Sequence, residues 1–153
     1  GSAQKQIVAG DMNHPTLLLL PVFIQVALTF ALLFWLGPAR AGALRRGEVK
    51  LKDIALGQSA WPERITQIAR SYQNQFELPV IFYALVLIAL ATRKADIWLA
   101  TGAWLFVTSR LVHAFIHVTS NRVQARFQAY VVGAFTLVAM WLWLAARVLL
   151  EGA

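Results

Sequence analysis

Apolar residues gather in four long runs along this chain: Pro15 to Leu36, roughly Ile65 to Thr92, Ile97 to Val118, and Phe127 to Ala146. Each approaches or exceeds the ~20 residues with which an α-helix crosses a hydrocarbon core of ~30 Å. Lipid offers a backbone no hydrogen-bond partners, so an open chain crosses it as helices. The pattern therefore predicts an all-α fold, an integral membrane four-helix bundle. Composition agrees, since 59% of the 153 residues are hydrophobic, 14% are charged and the mean hydropathy is +0.60. The first run is too long and uncharged for a secretory leader. Met12-Asn13-His14-Pro15 reads as a natural start, which makes residues 12–153 one domain and residues 1–11 an appended or disordered N-terminal segment.

The breaks between runs carry their own signals. Gly37-Pro38 predicts a stop to the first helix, followed from Ala39 to Pro62 by a mobile basic loop that covers one end. The second helix is expected to begin near Trp61-Pro62-Glu63, where proline suits the first turn and an acid suits the helix dipole. Running to Thr92 it would be ~45 Å long, more than a bilayer core, so its polar front half belongs at the interface. Pro79 removes the hydrogen bond to the Gln75 carbonyl and predicts a kink just beyond that polar half, with a cavity beside Glu77.

Polar residues inside these runs fall into register. Arg70, Asn74 and Glu77 stand at i, i+4 and i+7, on one helix face. Arg110, His113 and His117 share a face of the third helix, which Asn121 would extend if the helix continued. Arg122, Arg126 and Tyr130 follow on successive turns at the start of the fourth. All three clusters come to the same leaflet. An ionisable residue in a span is costly and marks a functional site by default. Arginine grips carboxylates by a planar fork, and Glu77 suits an ammonium group, so the set fits a zwitterionic, carboxylate-bearing ligand. Also open is a structural reading, in which Arg70 and Arg110 pair with Glu77 to hold helices together and Arg126 and Tyr130 snorkel to the interface.

Charge sets the orientation. The net charge is +7, and Arg40, Arg45, Arg46, Lys50, Lys52 and Arg64 crowd the first connection, with Arg122 and Arg126 at the third and only Arg93 and Lys94 at the second. The positive-inside rule then puts the polar site at the cytoplasm and both termini outside. Such juxtamembrane charge reflects orientation or contact with anionic membrane lipid, not nucleic acid. Without cysteine there is no disulfide and no thiolate of the chain's own, so any sulfur chemistry arrives with a ligand. His113 and His117 have helical metal-pair spacing but no evident third ligand, and read as interior histidines. No phosphate-cradling glycine turn and no serine triad spacing is present.

Taken together, these motifs resemble the MAPEG family, the membrane-associated proteins in eicosanoid and glutathione metabolism. Arg70-Ser71-Tyr72-Gln73-Asn74-Gln75-Phe76-Glu77, followed by Pro79, is similar to the family's Arg-x3-Asn-x2-Glu pattern. Arg110-x2-His113 with Arg122, Arg126 and Tyr130 resembles the pattern of microsomal glutathione transferases and prostaglandin E synthases on their third and fourth helices. The resemblance implies a homotrimer, in a bacterial-type member placed in the inner membrane. It also implies glutathione bound between subunits by Arg70, Asn74, Glu77, His113 and Tyr130, with Arg110 and Arg122 in support. Arg126 would be the catalytic residue that stabilises the thiolate. Gln73, His117 and Phe127 stand where the family's prostaglandin synthases carry arginine, tyrosine and serine, which points away from prostaglandin isomerisation. The expected activity is transfer of the glutathione thiol, or peroxidase chemistry, on lipophilic small-molecule substrates. The rivals are a non-catalytic lipid-binding scaffold of the same fold and an ion or proton pathway through Glu77, His113 and His117.

Overall fold

The computed structural model describes the backbone of residues 2–57 and 60–152 and side chains from residue 15 onward, so the expectation for residues 1–11 lies outside the described side chains. The elements are α1 (Ser2–Arg45), a single turn α2 (Leu51–Ile54), α3 (Glu63–Gln73), a 3-10 turn (Asn74–Phe76), α4 (Leu78–Ala91), α5 (Ile97–Val118) and α6 (Val123–Glu151). No strand occurs among the described residues. Pro15–Arg45, Glu63–Ala91, Ile97–Val118 and Val123–Glu151 are each long and apolar enough to cross a membrane. Large apolar side chains such as Phe23, Phe34, Phe135 and Leu142 lie on the outside, as a lipid-facing surface requires. The protein is an integral membrane protein with a four-helix bundle fold.

Two breaks differ from the sequence expectation. α1 passes through Gly37 and Pro38 and ends at Arg45. Its extension packs Leu36, Ala39 and Ala43 against Ile65 and Ile68 of α3, and that contact offsets the hydrogen bond a helix loses at an internal proline. Little of the expected loop is left before α2. The second span, conversely, is not one kinked helix. Pro79 cannot donate to the Gln75 carbonyl, and the backbone tightens into the 3-10 turn before bending at Glu77 (φ −98°, ψ −108°) and restarting as α4. α5 ends at Val118, short of Asn121, whereas α6 outruns its expected bounds at both ends with Arg122 at its N-cap.

The main core fills the half of the bundle away from the basic loop. Phe82, Leu85 and Ala89 of α4 meet Leu99, Ala103 and Phe106 of α5, with Leu137, Met140 and Leu144 of α6 closing the cluster. The Phe82 and Phe106 rings lie 4.7 Å apart. α5 and α6 approach closely at Gly133, where a β-carbon would stand 2.5 Å from Ser109 Oγ. Small residues serve this purpose in membrane bundles. Gly133→Leu should force the pair apart and cost ~1–3 kcal/mol of overpacking, read as a lower Tm in detergent than that of Gly37→Leu, where nothing lies within 4 Å.

A polar clasp closes the end opposite the basic loop. Asp96 caps α5 by accepting from the Leu99 N–H at 2.9 Å, and its other oxygen accepts from the Trp143 indole at 2.9 Å and from Arg147 Nη1 at 2.6 Å. Glu151 joins Arg147 to Lys94 at 3.1 and 3.2 Å. Partial burial pushes the Asp96 carboxyl up, yet the Leu99 amide, Trp143 and Arg147 together hold it below the usual carboxylate range. With the folded value depressed, the stability this group contributes is present above its unfolded pKa of ~3.9 and is lost as pH falls through the folded value. Asp96→Asn should therefore shrink the acid limb of the Tm profile below about pH 4, and Asp96→Ala should in addition lose ~0.5–2 kcal/mol of capping at neutral pH.

Candidate active site

The polar residues of the second, third and fourth spans meet at the basic end of the bundle around two adjoining cavities of 400 and 450 Å³, both within the usual size of small-molecule sites. The first is lined by Arg70, Asn74 and Glu77 from the interrupted span, His113 and His117 from α5, and Arg126 and Tyr130 from α6. Gln73, Val123 and Phe127 complete its wall. The second lies beside the start of α3, against Trp61, Thr66 and Asn121, and shares Arg70, His117, Val123 and Arg126 with the first. Arg126 and His117 thus stand at the junction. Glu77 is exposed and enters no ion pair among the described residues, so the arginine–glutamate pairing that a purely structural reading required is not made within the subunit.

Asn74 is the hub of the hydrogen bonds. Its carbonyl, in the tightened turn, accepts from Arg110 Nη2 at 3.1 Å. Its side-chain nitrogen lies 3.3 Å from His113 Nε2 and 3.4 Å from His117 Nδ1. The tautomers can be assigned from these partners. His113 Nδ1 faces the Arg126 carbonyl at 2.9 Å, and a carbonyl only accepts, so that nitrogen carries the proton and Nε2 is left to accept from Asn74. His117 likewise accepts at Nδ1, which leaves its Nε2–H as a donor to the surroundings. The two rings are in contact with each other at 5.8 Å, and His113 lies 5.9 Å from Tyr130. Among the described residues no cluster of three metal-ligating side chains is found.

Not every expected residue reaches the cavities. Arg110 is fully buried behind them, with its guanidinium 5.9 Å from the Tyr130 ring and with Nε and Nη1 lacking a protein acceptor. It supports the wall from inside. Arg122 is exposed at the α6 N-cap and lines neither cavity. Sequence reading left two contributors without a role in the site: Asn121, named only as an extension of the α5 stripe, and Gln75. Asn121, in left-handed backbone (φ 49°) beyond α5, accepts from Arg126 Nη1 at 2.5 Å and so fixes where that guanidinium points. Gln75 was passed over because it lies off the polar face, yet it is buried, accepts from Gln25 Nε2 at 2.8 Å and donates to the Ser71 carbonyl at 2.8 Å, tying α1 to the back of the site. An asparagine just past a helix end, of a residue type that tolerates left-handed backbone, was the available signal for Asn121.

The sequence profile described as the MAPEG family matches residues 18–146, which include every residue of both cavities. No curated protein and no solved structure matches the chain. Asn74→Ala should leave the acceptor nitrogens of His113 and His117 without their donor, at a cost of ~1–3 kcal/mol where those atoms are buried. The check is a fall in Tm for Asn74→Ala larger than that of Arg122→Ala, which removes an exposed side chain.

Proposed function

We propose that this chain, which belongs to the MAPEG family, is a membrane-bound glutathione-dependent transferase that joins the glutathione sulfur to lipophilic electrophiles. Members of the family use glutathione as co-substrate. The observation that carries the reading is the position of Arg126 at the junction of two polar cavities, the first of which also brings together Arg70, Glu77 and Tyr130. A ligand with two carboxylates, an ammonium group and a thiol suits this donor set. Arg70 would take a carboxylate and Glu77 the ammonium group, while Arg126 and Tyr130 would face the sulfur. Glutathione would supply the nucleophile that a cysteine-free chain lacks.

Arg126 would act by stabilising charge. A free thiol with a pKa of ~8.5 is mostly protonated at neutral pH, and a nearby fixed cation favours the thiolate. The thiol proton leaves to solvent, the sulfur lone pair forms the new carbon–sulfur bond, and the leaving group departs with the electrons of the bond that breaks. Asn121 restrains Arg126 through Nη1, and His117 Nε2–H offers a second donor at the same junction. Phe127, largely exposed on the wall of the first cavity, would meet the lipophilic partner entering from the bilayer. In the membrane the site would face the cytoplasm of a bacterial inner membrane, with both termini outside, as the basic first connection favours. Arg70, Gln73 and Glu77 are exposed in the single subunit, which suits a homotrimer whose neighbouring subunit covers them.

The test is turnover of a generic lipophilic electrophile at saturating glutathione across pH. Arg126→Ala should lose most activity at neutral pH and recover part of it as pH rises past the free thiol pKa of ~8.5. Arg126→Lys should retain an intermediate rate, because a point charge remains without the planar fork. Parent-like turnover and pH dependence in Arg126→Ala would remove this residue from the mechanism. An inactive parent with no thermal shift at millimolar glutathione would leave the lipid-binding scaffold as the better reading.

A further inference from the structure

A separate apolar cavity of 390 Å³ occupies the groove between α1 and α5. Leu28, Ala31 and Trp35 form one wall, and Leu111, Phe115 and Val118 form the other. Leu111 and Phe115 each lie two residues from His113, ~200° around the helix, so the groove is on the far side of α5 from the polar cavities. Trp35 and Phe115 are 43% and 67% exposed, and the slot opens sideways to the bilayer. Its end nearest the basic loop is not apolar. There the Arg64 guanidinium sits 5.1 Å from the Trp35 ring and donates through Nη1 to the Val118 carbonyl, so that one cation touches both walls.

Arg64 is exposed, and no carboxylate pairs with it among the described residues. Nη1 serves Val118 and, at 3.5 Å, Gln67. Its Nε and Nη2 edge is left for an acceptor from outside. A second stacked cation lies at the same end of the bundle, Arg40 at 5.0 Å from the Trp61 ring, with its Nε buried and without an acceptor. An apolar slot within a leaflet, closed at the interface by the Arg64 guanidinium with no counter-charge, has the chemistry of a lipid tail below an anionic head. A zwitterionic head group brings its own cation towards Arg64 and the basic end of the bundle and fits less well.

We propose that the α1–α5 groove is a binding site for one anionic phospholipid, an acyl chain lying between Leu28 and Phe115 and the phosphate accepting from Arg64. The lipid would brace α1 against the C-terminal end of α5, the helix that carries His113 and His117. Nothing in this assignment depends on the ligand of the polar cavities.

Native mass spectrometry of the detergent-solubilised protein, given phosphatidylglycerol or phosphatidylcholine of matched acyl chains, tests it. The parent should retain one phosphatidylglycerol per chain and prefer it about fivefold over phosphatidylcholine, as one arginine at an anionic lipid surface provides. That preference should weaken as ionic strength rises, a measurement on the parent alone. Arg64→Gln should hold the two lipids equally, and Ala31→Trp, which fills the slot from an exposed position, should lose both. Equal retention of the two lipids by the parent, a preference insensitive to salt, or parent-like binding in Ala31→Trp would each overturn the proposal. So would a parent that binds no lipid while Ala31→Trp changes the oligomer mass, since the groove would then seat a second copy of the chain.

Discussion

A charged side chain buried among membrane-spanning helices must be given acceptors, and the polar half of this bundle is arranged around that requirement. Arg110 is fully buried on α5, and the acceptor it finds is the Asn74 carbonyl in the interrupted span. Pro79 leaves the Gln75 carbonyl without its helical donor, and the chain before it tightens into the 3-10 turn that carries Asn74. The same tightened turn places the Asn74 side chain against both α5 histidines. His113 in turn holds the first turn of α6 through the Arg126 carbonyl. One proline and one buried guanidinium thus set the relative positions of three spans.

The two ends of the bundle are built on different physics. Away from the basic loop, close packing at Gly133 and a ring pair in the core bring α4, α5 and α6 together, and the Asp96–Arg147–Glu151–Lys94 network closes the rim. That end has few unmet hydrogen bonds. Near the loop, apolar packing is confined to the small cluster around Leu36, Ala43 and Ile68, and space remains between the helices. The cavities form where side chains are long, charged and unable to fill a core. Apolar packing at one end and polar pairing at the other let α5 present its histidines on fixed hydrogen-bond partners beside space that is free for a ligand.

Most of the fold was legible in the sequence because length and hydropathy decide which segments cross a bilayer, and α5 ran from Ile97 to Val118 as read. The polar face of Arg70, Asn74 and Glu77 was legible too, since groups so costly in lipid stand out from their neighbours. All three line one cavity, together with His113, Arg126 and Tyr130 from the other two spans. The family also followed from motif and spacing, which local sequence carries.

Tertiary contacts decided what local signals could not. Gly37-Pro38 is a stop signal by propensity, yet α1 continues because Leu36, Ala39 and Ala43 gain a surface on α3, and no local rule registers a partner that far along the chain. The sequence marked Arg110 and Arg122 alike as supporting charges. Packing buried the first behind the cavity wall and left the second outside, since burial depends on which helix face the neighbours cover. Asn121, Gln75 and the α1–α5 groove have meaning only through what they meet: Arg126, Gln25 and the span of Arg64 from Trp35 to Val118. Hydrophobic periodicity fixes which helices exist and which faces turn inward, whereas the pairing of polar atoms between helices is set by distances that arise only when the helices pack.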